Sequence, residues 1–258
     1  MGKPEPWTED PILQRFKFTN IFRELDRGTL VLRHLIADNP DLTPEDIIFI
    51  CFWYRLTGKW QTLLFVGPAK TPEELEERLK MMVSQGRTIY TAAYMTRGKK
   101  GIKKWKTTVE TSRQVYKHRS LLLQCANRGS LMSLFNDILD LPFWGISKFL
   151  AYEIVSDLRH YPQVMGNYVE DAKTWANIGP GCDRGLQRLG RMSDIFELRE
   201  LFDLAQNYLE PHVLDGVMPF EMREIEHSLC EFDKYQRAAT GAGRPKERFY
   251  PAEEFIRP

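Results

Sequence analysis

Apolar residues return at helical spacing through most of this chain, and no alternating β–α pattern that would demand a parallel sheet accompanies them. From Phe18 to Ile36 the apolar positions are Phe18, Ile21, Phe22, Leu25, Leu32, Leu35 and Ile36, the sites of one helix face. Asn20, Arg23, Glu24 and Arg27 gather on the opposite side. Thr71-Pro72-Glu73-Glu74 is a helix start, with proline at the first helical position and acids in the first turn, and it predicts a helix to about Ser84. Further helices are expected over Pro44 to Leu56, Ser120 to Leu139, Ser147 to Leu158, Ser193 to Tyr208 and Phe220 to Arg237. Lys59 to Val66 and Thr88 to Thr96 suit short β or irregular pieces. The expected class is mostly α. With no Ser/Gly-rich or single-charge linker in 258 residues, one domain over 1–258 is the expected organisation.

With 43% hydrophobic, 12% aromatic and 28% charged residues, the chain has the means to bury a large core. Its apolar runs, such as Leu63-Leu64-Phe65-Val66-Gly67, are too short to span a bilayer, and Met1-Gly2-Lys3-Pro4-Glu5-Pro6 lacks a signal-peptide hydrophobic region. An intracellular protein with no membrane partner is expected. Cys51, Cys125, Cys182 and Cys230 are scattered without CxxC pairing, so packed, reduced thiols are expected rather than a zinc or iron–sulfur site. His227 and Cys230 are three apart, but two ligands do not make a metal site.

The net charge of +1 means that any nucleic-acid role must rest on local patches. One patch holds Arg97, Lys99, Lys100, Lys103, Lys104 and Lys106, with Trp105 embedded and no acid between them. This pattern suits a DNA backbone and equally a solvated loop. Leu141-Pro142-Phe143-Trp144-Gly145-Ile146-Ser147-Lys148 is similar to a degenerate helix-hairpin-helix element, in which a glycine turn offers N–H groups to a DNA phosphate. Phe143 replaces the first glycine of the usual pair, and an ordinary tight helix–helix turn has the same composition.

Gly179-Pro180-Gly181-Cys182-Asp183-Arg184 combines a tight turn, a helix N-terminus and a cation, the parts of an anion site, although such a turn also serves packing alone. No Gly-Lys-Ser/Thr follows, so a Walker-type triphosphate loop is excluded there. In the last expected helix, Glu226, Cys230, Asp233 and Arg237 fall on one stripe beside the apolar face of Met222, Ile225, Leu229 and Phe232. Charged groups at a core edge are where pKa values are tuned and ligands gripped; a salt-bridge network is the other explanation. The helix exits through Thr240-Gly241-Ala242-Gly243-Arg244-Pro245, a C-cap or a closing arm over an anion.

Trp7-Thr8-Glu9-Asp10-Pro11, Phe18-Thr19-Asn20-Ile21-Phe22-Arg23-Glu24-Leu25-Asp26-Arg27, Trp175-Ala176-Asn177-Ile178-Gly179-Pro180-Gly181, Arg184-Gly185-Leu186 and Leu229-Cys230-Glu231-Phe232-Asp233-Lys234-Tyr235 occur here in that order. Together they resemble the α-glutamyl/putrescinyl thymine pyrophosphorylase family of bacteriophages, whose members also appear as the helical domain associated with 5-hydroxymethyluracil DNA kinases. The resemblance runs nearly end to end. It implies a helix-hairpin-helix, DNA-glycosylase-like helical fold and a step in thymine hypermodification. In that step the amine of an amino acid or polyamine displaces pyrophosphate from pyrophosphorylated 5-hydroxymethyluracil in DNA. Excision of a modified base, or noncatalytic DNA binding beside the kinase, are the alternatives.

The implied partners are DNA containing modified thymine, the amine co-substrate and a 5-hydroxymethyluracil DNA kinase, in the host-cell cytoplasm if the chain is phage-encoded. No cofactor is indicated, and the sequence is silent on Mg²⁺. By the same resemblance Arg23 and Arg27 become candidates to clamp pyrophosphate, with Asn20, Asp26, Gly181, Arg184, Lys234, Arg237 and Arg244 beside them. Asp171, about one helix beyond the hairpin-like turn, takes roughly the place of the glycosylase aspartate. Asp157, Glu226, His227 and Asp233 compete with it to deprotonate the amine. Gly145 and Lys148 join the basic run as DNA contacts.

Overall fold

A computed structural model describes residues 8–91, 98–209, 220–243, 245 and 248–249. The described residues are mostly helical, with no strand among them and an isolated antiparallel bridge between Phe16 and Arg248. They form two compact units, one of residues 27–172 and one of residues 1–26 with 173–258. The second is assembled from the two ends of the chain, which is why no linker composition announces it.

The 27–172 unit holds α2 (Arg27–Ala37), α3 (Pro44–Thr57), α4 (Trp60–Val66), α5 (Pro72–Ser84), α6 (Lys104–Ala126), α7 (Leu131–Asp140), α8 (Lys148–Leu158) and α9 (Pro162–Met165). Thr43 and Asp46 close a capping box at the start of α3, Pro44 opens it, and Gly58 ends it with φ 63°. Every residue from Ile47 to Thr57 is buried, so α3 is the core helix on which α6, α8 and α9 pack. Its one cation, Arg55, is 3% exposed. Nη1 donates to Glu153 at 2.5 Å, and Nε and Nη2 donate to the two oxygens of Asp157. Both acids come from α8, so this buried triad pins α8 to α3.

Three expectations change here. Lys59 to Val66 is helical: α4 buries Leu63 and Val66, and Thr62 donates its hydroxyl to the Ile89 carbonyl at 2.7 Å. The single helix expected over Ser120 to Leu139 is broken. Gly129, at φ 69°, lets the chain reverse, and Ser130 caps a new helix at Leu131. Lys104 and Lys106 lie on the first turn of the 23-residue α6 rather than in a loop.

The other unit contains α1 (Pro11–Arg15), a 3-10 turn (Arg23–Leu25), α10 (Pro180–Arg188), α11 (Ile195–Leu209) and α12 (Met222–Ala239). The continuous helix expected from Phe18 to Ile36 does not form. Asn20 turns back on itself by accepting the Phe22 N–H at 3.1 Å, its own N–H donates to Asp26 at 3.3 Å, and Asp26 is extended at φ −65°, ψ 135°. Asn20, Arg23 and Arg27 therefore do not share a helix face, and Arg27 begins α2 in the other unit.

Asp157→Ala should destabilise the protein by about 3–5 kcal/mol, because it removes the buried carboxylate to which Arg55 Nε and Nη2 donate. Urea unfolding measures this, and a change within about 0.5 kcal/mol of zero would refute the assignment of the triad as the core pin.

Candidate functional site

α12 starts with a capping box between Glu221 and Glu224 and runs eighteen residues. α10 follows the N-cap residue Gly179, with Pro180 in its first turn, and lies against α12. Gly181 and Gly185, one turn apart, form the contact. A Cβ at Gly181 would lie 2.3 Å from Cys230 Sγ, and one at Gly185 would lie 2.4 Å from the Leu229 carbonyl oxygen. Only hydrogen at these positions lets the two helices approach so closely.

That approach lays Arg184 and Arg188 over Asp233. Asp233 is 0% exposed, and its carboxylate is shared by three arginines. Oδ2 accepts Arg184 Nε at 2.8 Å and Arg237 Nε at 3.0 Å; Oδ1 accepts Arg188 Nε at 2.9 Å. Burial by itself would raise this carboxyl's pKa. The hydrogen bonds from Arg188 and Arg184, with the charges of Arg184 and Arg237, outweigh it and hold the group below its usual 3.8.

Each guanidinium spends Nε on Asp233, and each side chain stays partly exposed. The three side chains are 45%, 32% and 36% exposed, in chain order. One carboxylate against three guanidiniums leaves a surplus of positive charge at a half-open surface, with donors oriented by a buried anchor. This makes the cluster a candidate anion site, with a geometry that suits a phosphate or diphosphate.

The rest of the expected stripe serves this helix contact. Gly179, whose added Cβ would lie 3.7 Å from Glu226 Oε1, and Cys230 both face the α10–α12 seam. Burial pushes the Cys230 thiol up to about 12, and burial followed by the Glu226 charge pushes Cys182 higher still. Both are packing thiols, and all four cysteines are free.

The first and last segments of the chain do meet, on another stripe of α12. Leu13, Phe18, Thr19, Asn20 and Ile21 line a cavity of about 300 Å³ together with His227, Ser228, Glu231, Phe232 and Tyr235. The Thr19 N–H donates to Glu231 at 3.1 Å, and the Tyr235 hydroxyl to Asp10 at 2.5 Å. His227 Nδ1 donates to the Arg223 carbonyl at 2.8 Å, which makes Nε2 the lone-pair nitrogen of the neutral ring. Asp233 lies six residues on from His227, roughly a third of a turn round the helix, so the cavity and the arginines occupy different faces.

Lys234 pairs with Glu231 at 2.5 Å and donates to the Lys17 carbonyl, and Arg23 pairs with Asp26 within the 3-10 turn. Nearby, Arg223 is wholly buried among Glu24, Glu221 and Glu224, and burial lowers its pKa. Arg27 lies over the Trp60 ring, 4.9 Å from its centroid.

In the 27–172 unit Asp171 caps α7. Oδ1 accepts the Leu131 N–H at 2.8 Å; Oδ2 accepts the Met132 N–H and the Ser130 hydroxyl at 2.9 Å each. Asp157 is held by Arg55, as described above. Of the basic run, Lys99 pairs with Glu110 at 2.8 Å, Lys104 lies 3.9 Å over the Tyr90 ring with its pKa lowered by burial, and Lys106 lies over Trp105. Lys100, Lys103 and Lys148 are exposed, and Gly145 turns the chain at φ 80°. Arg97 and Arg244 lie outside the described residues. Arg188, absent from the sequence candidates, is the third arginine of the site; its signal is its i, i+4 spacing from Arg184.

The fold and site thus define a mostly helical protein with three arginines gathered on one buried carboxylate of its last helix. By sequence the chain belongs to the family of 5-hmdU DNA kinase helical domains, which it matches over residues 1–244. It is 27% identical over 264 aligned residues to the 5-hmdU DNA kinase of Bacillus phage SP10, an alignment covering 91% of this chain and 41% of that kinase. The chain therefore spans about two-fifths of the length of this curated relative. No solved structure matches. Among the described residues no helix is long and apolar enough to cross a membrane, and no group of three or more His, Cys, Asp or Glu is placed to hold a metal ion.

Gly185→Ala should separate α10 from α12 and cost about 1–3 kcal/mol by overpacking, measured by thermal unfolding; an unchanged melting temperature would contradict the close approach. Asp233→Asn should cost about 2 kcal/mol at pH 7, toward the low side for breaking a buried pair because the arginines are partly solvated. Since the folded carboxyl titrates below 3.8, its contribution is complete above that value and is lost as pH falls through the lower folded one. Melting curves from pH 6 to pH 3 should fall more steeply for the native protein than for Asp233→Asn, and parallel curves would contradict the assignment.

Proposed function

We propose that this chain is a transferase of thymine hypermodification, acting on pyrophosphorylated 5-hydroxymethyluracil in DNA. The amine of an amino acid or polyamine attacks the exocyclic methylene carbon; the C–N bond forms as the C–O bond breaks. Diphosphate leaves with the electron pair, and the ammonium proton passes to a base. The observation that carries this reading is the anchored set of Arg184, Arg188 and Arg237, together with membership of a family named for 5-hmdU DNA kinases.

A leaving diphosphate gains charge as the bond breaks, and donors fixed beforehand stabilise that charge without reorganising. In this scheme Asp233 is a positioning residue for the arginines. Its carboxylate is spent on three of them, so it is not the base. Asp157 and Asp171 are likewise committed, to Arg55 and to the N-terminus of α7. Glu226 and His227, 3.4 Å apart on α12, are the candidate bases.

A second reading has its own support. The matched relative is a kinase more than twice as long as the aligned region, so the chain is also suited to a noncatalytic role, presenting phosphorylated DNA beside a kinase.

Incubation with DNA bearing pyrophosphorylated 5-hydroxymethyluracil and a panel of glycine, glutamate and putrescine, followed by nucleoside mass spectrometry, separates the two. The transferase should yield an amine adduct. Arg184→Ala with Arg188→Ala should lower its rate on the order of 100-fold while unmodified DNA is still bound. No adduct with any amine would favour the noncatalytic role, and free base with abasic sites would show excision instead.

A further inference from the structure

The turn between α7 and α8 carries an indole that the anion site does not use. Trp144 is 49% exposed at its tip. Its backbone is held from both sides. The preceding Phe143 is buried, edge-on to Phe52 at 5.7 Å and to His118 at 5.8 Å, and Thr111 donates its hydroxyl to the Trp144 carbonyl at 2.9 Å. Gly145 follows at φ 80°, a conformation that few side chains tolerate. A large apolar ring is thus presented to water by a rigid frame. Single exposed apolar side chains are ordinary; this one has its backbone fixed and a lysine ammonium beside its ring.

The cations come from two segments. Lys99 Nζ lies 5.6 Å from the Trp144 ring centroid while pairing with Glu110. Lys100 and Lys103 are exposed beside it in sequence, at the approach to α6, and Lys148 is exposed at the first position of α8. Backbone-tracking lysines around a rigid aromatic platform are what an unpaired nucleic-acid strand requires. The lysines meet phosphates, and the ring meets a base face whatever the sequence.

We infer that Trp144 is a stacking platform for an unpaired base of a DNA strand whose phosphates run over Lys99, Lys100, Lys103 and Lys148. This rests on the reading above only in taking DNA as the ligand. For a modifying enzyme the platform has a use, because a base displaced from its partner needs a surface to replace the lost stacking.

The test is fluorescence anisotropy of the full chain with fluorescein-labelled, unmodified oligothymidylate, and with the same strand in duplex, at several salt concentrations. Amine and diphosphate are absent, so a failed transferase assay leaves this result unaffected, and the reverse holds too. Trp144→Ala should weaken single-strand binding about tenfold with an unchanged salt slope, and Trp144→Phe should restore most of it. Lys100→Ala with Lys103→Ala should instead reduce the salt slope by roughly two. Circular dichroism melts of the exposed-residue variants should match the native protein. Three outcomes would overturn the inference: equal binding by native protein and Trp144→Ala, tighter binding of duplex than of single strand, or no DNA binding at low salt.

Discussion

The 1–26/173–258 unit depends on one buried carboxylate. Asp233 has no access to water, yet its two oxygens receive Nε donors from Arg184, Arg188 and Arg237. Reaching it requires α10 to lie almost in backbone contact with α12, which only Gly181 and Gly185 permit. The glycines and the arginines are therefore parts of one device. The first set the distance between the helices, and the second spend that closeness on gripping the acid.

A comparison with the Arg55 cluster of the other unit explains why the arginines around Asp233 are a candidate site. Around Arg55 there are two carboxylates for one cation, all three nearly inaccessible, and the guanidinium's donors are turned inward to Glu153 and Asp157. That cluster lies out of reach of solvent and its effect is structural. Around Asp233 the proportion is inverted, with three guanidiniums for one carboxylate. Asp233 satisfies only the Nε edge of each, and the excess charge lies where a ligand can reach it.

The helices were legible wherever a cap agreed with periodicity. Thr71-Pro72 and Thr43-Pro44 start α5 and α3 because proline and a capping box act within one turn of chain. Periodicity failed where a short polar contact outbid it, as at Asn20, whose side chain closes a turn inside an otherwise helical pattern, and at Gly129. The stripe Glu226, Cys230, Asp233, Arg237 was correctly seen as one face of a helix. What lay against it was not visible, because the partner α10 is some fifty residues away in sequence. For the same reason Asp157 and Asp171 looked like available acids. The groups that occupy them, Arg55 and the N-terminus of α7, are about a hundred and about forty residues distant. Spacing along a chain specifies a face; it does not specify which of the face's charges are already spent.

The choice of arginine at this site follows from how a guanidinium divides its donors. With Nε bound to Asp233, the Nη end of the fork remains, and it matches two oxygens of a phosphate at once. A lysine anchored to the same acid would commit its one charged centre to the anchor and offer a ligand only the remaining hydrogens of that ammonium. Arginine alone can be held by one edge and bind by another. Three such forks on a single buried carboxylate, drawn from two helices, make the orientation of each depend on the same anchor. The anchor is charged and lies out of water, so its cost is repaid only while the arginines remain in place. That coupling keeps a cluster of like charges preorganised, where mutual repulsion would otherwise scatter it.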